Sequence, residues 1–78
     1  MEPHVPLAMV RAGRMATIVG VNAGWGLSKR LADMGLVPRT TLRVINSQAP
    51  GPIVVEVKGS KLVLGRGIAQ KIMVEEQR

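Results

Sequence analysis

The stretch TLRVINSQAPGPIVVEVKGSKLVL, residues 41–64, decides the fold class of this 78-residue chain. Apolar and polar residues alternate in three runs of this stretch: residues 41–46, 53–58 and 61–64. Alternation of this kind is typical of half-buried β-strands. Gly59-Ser60 separates the last two runs and matches a two-residue type II′ hairpin turn, which has glycine first. The stretch therefore predicts an antiparallel meander of three short strands.

Two further strands are predicted on either side of the meander. Residues 14–21 are rich in β-formers, and Gly20 inside them indicates a β-bulge around Val19-Gly20. After the meander, residues 65–71 are expected to form a turn or a single helical turn. Ile72 and Val74 then supply a last short strand.

One helix is predicted between the first strand and the meander, over residues 25–34. Leu27, Leu31 and Met34 stand at i, i+4 and i+7, so we expect them to be the core face of the helix. Gly35 lies where a helix ends in the left-handed conformation, which would let Leu36 fold back onto the last turn.

About five short strands and one helix do not suit a parallel α/β sheet but do suit a small, strongly bent antiparallel barrel. The fold class is therefore mostly β, with one short helix after the first strand. Residues 1–78 are expected to form a single domain, in which residues 1–5 and 75–78 are loose termini.

Composition argues against catalysis and against a metal site. The chain has no cysteine, and its one histidine, His4, lies in the N-terminal arm. His4 with Glu75 and Glu76 is the one conceivable ligand group, and it has no spacing signature. We therefore expect a protein that is not an enzyme and that has no metal ligands and no cofactor. Without a long apolar run or a signal peptide, it is also expected to be soluble.

The formal charge of +6 favours an acidic partner: nucleic acid, an anionic lipid surface or an acidic protein. A surplus of Lys and Arg that serves only solubility remains open. Trp25 is the only aromatic residue and cannot form a stacking platform alone, so nucleic acid is not expected. Trp25 itself either caps one end of the core or stands exposed as an interface anchor.

The segment GLSKRLADMGLVPRT, residues 26–40, resembles the signature of the FeoA family. The shared features are a Gly-Leu opening, a basic pair, a leucine, an Asp-apolar-Gly-apolar run and a turn with proline. Pro6-Leu7 and Ala12-Gly13 are similar to the opening of that family, and residues 57–64 are similar to its hairpin, so the resemblance covers about residues 6–74. The sequence departs from the family pattern in two places: Arg39 stands where glycine is usual, and Gly67-Ile68 stand where acidic residues are common.

The resemblance implies an SH3-like barrel and a cytoplasmic accessory protein of bacterial ferrous iron transport. Its implied partner is the cytoplasmic part of the FeoB membrane transporter, so that this chain would meet the membrane only through its partner. Charge and expected exposure select these docking candidates: Trp25, Ser28, Lys29, Arg30, Arg39 and Arg66. The family label of transition metal ion binding finds no ligand set here. A homo-oligomer remains possible.

Two alternatives to the accessory role remain at this point. One is the detached regulatory module of a DtxR-type metal-dependent repressor, because related domains form the C-terminal part of those proteins. The other is a small basic barrel that binds nucleic acid.

Overall fold

A computed structural model describes residues 3–77 as one antiparallel sheet of six strands with two short helices. The strands are β1 (His4–Pro6), β2 (Met15–Val21), β3 (Thr41–Asn46), β4 (Ile53–Val57), β5 (Ser60–Leu64) and β6 (Ile72–Glu76). The helices are α1 (Trp25–Asp33) and α2 (Arg66–Ala69), and a 3-10 turn spans Leu7–Met9. Neither helix is long and apolar enough to cross a membrane, within the part of the chain described.

The strand order is β1-β6-β2-β3-β4-β5, so β1 and β5 are the two edges and do not pair with each other. The mostly β, antiparallel fold class is confirmed. The sheet has six strands rather than about five, and because its two edge strands do not pair, the predicted small, bent barrel is not a closed ring of strands. Closure depends on pairing between strands far apart in the chain, which alternation within one strand does not encode.

The extra strand, β1, corrects the prediction of loose termini. Val5 pairs with Val74 and packs against the core, and His4 pairs with Glu75. Proline on both sides hides this strand from a sequence pattern, although proline is tolerated at a sheet edge. Residues 4–5 and 75–76 are therefore part of the sheet. Residues 1, 2 and 78 of the predicted loose termini lie outside the described residues.

The predicted meander is confirmed: β3 pairs with β4, and β4 pairs with β5. The hairpin turn is displaced by one residue from the prediction. Val57 pairs with Ser60, so the turn residues are Lys58 and Gly59, with φ of 51° and 82°. Positive φ at both positions makes a type I′ turn, in which glycine favours the second place. The bulge in β2 is confirmed as a register shift between Ile18 and Gly20.

Helix α1 ends as its sequence predicts. Gly35 has φ of +86°, and its N–H donates to the carbonyl of Ala32 at 2.9 Å. The Leu36 N–H donates to the carbonyl of Leu31, also at 2.9 Å, which completes a Schellman motif. This motif turns Leu36 into the core, where it is 1% exposed.

Only part of the predicted core face of α1 is buried. Leu31 is 2% exposed and Leu27 is half-buried against the core. Met34 is 42% exposed, so its assignment to the core is wrong. The reason is that Met34 is the residue after the helix, with φ of −89° and ψ of 1°, where the helical projection no longer holds. Leu36 occupies the core instead.

Candidate functional site

Trp25, the first residue of α1, lies on the surface with 78% of its area exposed. This excludes the interpretation in which it caps the core. A tryptophan buries 150–250 Å² where it packs, so this degree of exposure forgoes a large hydrophobic gain. Burial of the Trp25 side chain against a partner would recover this hydrophobic free energy.

Helical spacing places Ser28, Lys29 and Ala32 on the same side of α1 as Trp25. Lys29 is exposed, and its Nζ lies 3.5 Å from Oδ2 of Asp33, so its charge has an internal partner. Arg30 is exposed, lies about 140° around the helix from Trp25, and forms no salt bridge with the residues described. We define Trp25, Ser28, Lys29 and Arg30 as the α1 surface.

Arg39 belongs to a separate feature. It lines a groove of ≈ 330 Å³ between the loop after α1 and the outer face of β2 and β6, together with Thr17, Ile18, Val19, Pro38 and Glu75. Its backbone has φ of 78°, and its N–H donates to the carbonyl of Ile18 at 2.7 Å. A left-handed φ is the conformation that glycine adopts most readily, which agrees with the glycine that the resemblance implies at this position.

Arg66 holds a loop in place. Its Nε donates to the carbonyl of Gly51 at 3.1 Å and its Nη2 donates to that of Ser47 at 2.9 Å. These charge-assisted bonds connect α2 to the loop between β3 and β4. Because its guanidinium is engaged, Arg66 does not join the α1 surface as a free cation. The sequence could not indicate this role, because the acceptors are backbone carbonyls fifteen and nineteen residues away.

The one conceivable metal-ligand group does not come together. His4 Nε2 lies 4.0 Å from Oε2 of Glu75 across the β1–β6 pair. Glu76 instead pairs with Arg14, at 3.7 Å between Oε1 and Nε. Residues 3–77 contain no cluster of three histidine, cysteine or acidic side chains that could bind a metal ion.

We predict that the isolated chain binds Fe²⁺ or Zn²⁺ only in the millimolar range, because two exposed ligands are too few for a tight site. His4→Ala should abolish this weak binding. Isothermal titration calorimetry of both proteins measures it. A one-to-one site of micromolar affinity that survives His4→Ala would contradict the prediction.

Sequence comparison matches residues 5–76 to the FeoA domain family. A protein of Methanocaldococcus jannaschii with the provisional name Fe(2+) transport protein A is 41% identical over 71 residues, which are 91% of this chain and 85% of that protein.

Solved structures share the fold. A crystal structure of an iron uptake regulatory protein (FeoA) has a TM-score of 0.90 at 32% identity, over 96% of this chain and 100% of that one. A FeoA protein from Chlorobium tepidum has a TM-score of 0.81 at 32% identity, over 100% of this chain and 71% of that one. A manganese-dependent transcriptional repressor has a TM-score of 0.86 at 25% identity, over 99% of this chain but 44% of the repressor. The predicted resemblance is therefore confirmed, and the chain belongs to the FeoA family.

Proposed function

We propose that this protein is a non-catalytic accessory component of ferrous iron uptake, which binds the cytoplasmic part of the FeoB-type transporter and modulates it. The names of its relatives support a role in Fe²⁺ transport and in its regulation. The proposal places the protein in the cytoplasm, attached to the membrane only through the transporter.

The observation that carries the proposal is the exposure of Trp25, with Lys29 on the same side of α1 and the exposed Arg30 further around the helix. Tryptophan and arginine are enriched among the residues that dominate binding energy at protein interfaces. The surplus of positive charge suits an acidic surface on the transporter domain, which would speed encounter and fix orientation.

A module of this kind acts on the transporter only through differential affinity. If it binds one conformation of the transporter domain better than another, it shifts the population toward that conformation. A tenfold preference corresponds to about 1.4 kcal/mol, which is within the reach of a single well-packed side chain at an interface.

The alternatives named above gain no support. The repressor matches this chain over 44% of its own length. In residues 3–77 the two helices are separated by three strands, so this part of the chain holds no helix-turn-helix. A single exposed aromatic side chain is also too little to stack successive bases of a nucleic acid.

Trp25→Ala tests the proposal, with Met9→Ala as a matched control. Met9 is 72% exposed and lies in the 3-10 turn, so both changes remove a large exposed apolar side chain. We expect Trp25→Ala to weaken binding to the purified cytoplasmic domain of the organism's FeoB-type transporter by about 30-fold or more. Met9→Ala should leave the affinity within about twofold of the parent.

Calorimetry or surface plasmon resonance at fixed ionic strength measures these affinities. If the parent does not bind the domain, the proposed function is wrong. If the parent binds and both variants bind equally well, the partner docks elsewhere than on the α1 surface.

A further inference from the structure

Strand β5 is an open edge of the sheet. It pairs with β4 on one side, and no backbone hydrogen bond joins its other side to any residue in 3–77. The opposite edge, β1, has three residues and includes Pro6, which has no N–H to donate. Strand β5 has five residues and no proline, so it is the edge that could accept another strand.

The register identifies the free groups of this edge. Val57 and Ser60 flank the two-residue turn, so they exchange both backbone hydrogen bonds. Hydrogen-bonded pairs alternate along an antiparallel ladder, so Leu62 also bonds to β4 while Lys61 and Val63 do not. The N–H and C=O groups of Lys61 and Val63 therefore point away from the sheet. They lie about 6.8 Å apart along the strand, which is the repeat of a β-ladder.

The side chains of Lys61 and Val63 share the outer face of the sheet, where Val63 is 65% exposed. Val54 lies across from Val63 and is half-buried, so the apolar surface continues from the edge onto the next strand. Glu56 lies across from Lys61, and no salt bridge joins the two in the described part of the chain. The edge thus offers one cation and one apolar side chain two residues apart.

The charge of the protein indicates which kind of strand can pair with the free edge of β5. The described chain has four acidic residues; Asp33 and Glu76 form salt bridges, and Oε2 of Glu75 lies 4.0 Å from Nε2 of His4. Pairing of two β5 edges would bring together two chains that each carry a charge of +6, which opposes self-association. An acidic segment is instead attracted by this net charge, and Glu56, the acidic residue across from Lys61, lies on β4, on the side of β5 away from the segment.

We propose that the β5 edge binds an extended acidic segment of a partner protein by β-strand addition. The backbone of the segment pairs with Lys61 and Val63, an acidic side chain lies beside Lys61, and an apolar side chain lies beside Val63. This surface is distinct from the α1 surface, and the proposal does not depend on the identity of the transporter.

The probe is a synthetic peptide with the repeat Glu-Thr-Val-Thr, capped at both ends, because this repeat places a glutamate and a valine two residues apart on one face of a strand. The matched peptide with lysine in place of glutamate, the lysine–valine peptide, is its control. Two-dimensional NMR of the full chain should show slower hydrogen exchange at the amides of Lys61 and Val63 when the acidic peptide is added. The lysine–valine peptide should bind at least tenfold more weakly. Unchanged exchange at these two amides, or equal binding of the two peptides, would overturn the proposal.

Val63→Pro removes one outward N–H without touching the ladder to β4, and Val63→Thr keeps both the N–H and the β-branched shape. We expect Val63→Pro to weaken binding of the acidic peptide at least tenfold and Val63→Thr less than threefold. Equal affinity of the two folded variants would overturn strand addition.

Sedimentation of the peptide-free protein tests whether the β5 edge instead pairs with a second copy of this chain. It should show a monomer at NMR concentrations. A dimer whose Lys61 and Val63 amides are already protected would assign the edge to a second copy and overturn the proposal. Since the probe is a peptide, failure here leaves the transporter proposal untouched.

Discussion

Leu31→Ala should lower the free energy of unfolding by about 2–5 kcal/mol, whereas Met34→Ala should change it by no more than about 0.5 kcal/mol. Both residues stand on the predicted apolar face of α1, and truncation removes a comparable volume from each. They differ in burial: Leu31 is 2% exposed and Met34 is 42% exposed. The pair therefore isolates what burial contributes at this helix.

The expected loss is large for this chain. Natural domains are stable by about 5–15 kcal/mol, and a domain of this size belongs near the lower end. Leu31 is the one fully buried residue of α1, and a helix of nine residues is marginal without tertiary packing. A loss of 2 kcal/mol or more corresponds to a fall in melting temperature of about 10 °C or more.

Thermal and urea unfolding, followed by circular dichroism, measure both variants against the parent. Equal melting temperatures for Leu31→Ala and Met34→Ala would mean that α1 does not depend on its contact with the sheet. The placement of Leu31 and Leu36 in the buried core cluster would then be wrong.

The strands of the meander are predictable because each one carries its own signal. Alternation along β3 and β4 fixes which side chains face inward, and a two-residue turn leaves few choices of partner for β5. The predictions that proved wrong depend on where an element ends or on contacts between distant parts of the chain. Met34 fits the helical period, but the helix ends one residue before it. The pairing of β1 with β6 joins the two ends of the chain, and no local pattern encodes it.

The sequence identified which residue types could form the candidate site, but not which of them are exposed or what they contact. Sequence identified Trp25 as an unusual residue but left its orientation open, since an aromatic at the start of a helix suits a core cap as well as an interface. Charge selected Arg66 along with Lys29 and Arg30. Only the structure separates Arg66 from them, through its bonds to two backbone carbonyls.

The second large effect is expected from reversing the charge of the α1 surface in the double variant Lys29→Glu/Arg30→Glu. Its cost in stability should be small. The Lys29–Asp33 pair is worth about 0.3–0.5 kcal/mol and becomes repulsive. Arg30 lies in the last turn of α1, where a cation gains about 0.3–1 kcal/mol from the helix dipole. With the repulsion that reversal adds, the total is about 1–2 kcal/mol, which lowers the melting temperature by about 4–16 °C and leaves the protein folded at 25 °C.

Its effect on binding should be far larger. Juxtaposed like charges cost several kcal/mol at an interface, so we expect the affinity for the transporter's cytoplasmic domain to fall at least about 100-fold.

Arg11→Glu/Lys71→Glu is the control: both residues are exposed and lie outside α1, and each double variant changes the net charge from +6 to about +2. Affinities measured at 25 °C and 0.15 M salt, where long-range fields are screened beyond about 8 Å, separate local contact from overall charge. An equal loss of affinity in both double variants would show that the effect comes from net charge and not from the α1 surface. If the parent binds the domain and neither double variant loses affinity, the docking surface moves to the groove beside Arg39, which both variants leave intact.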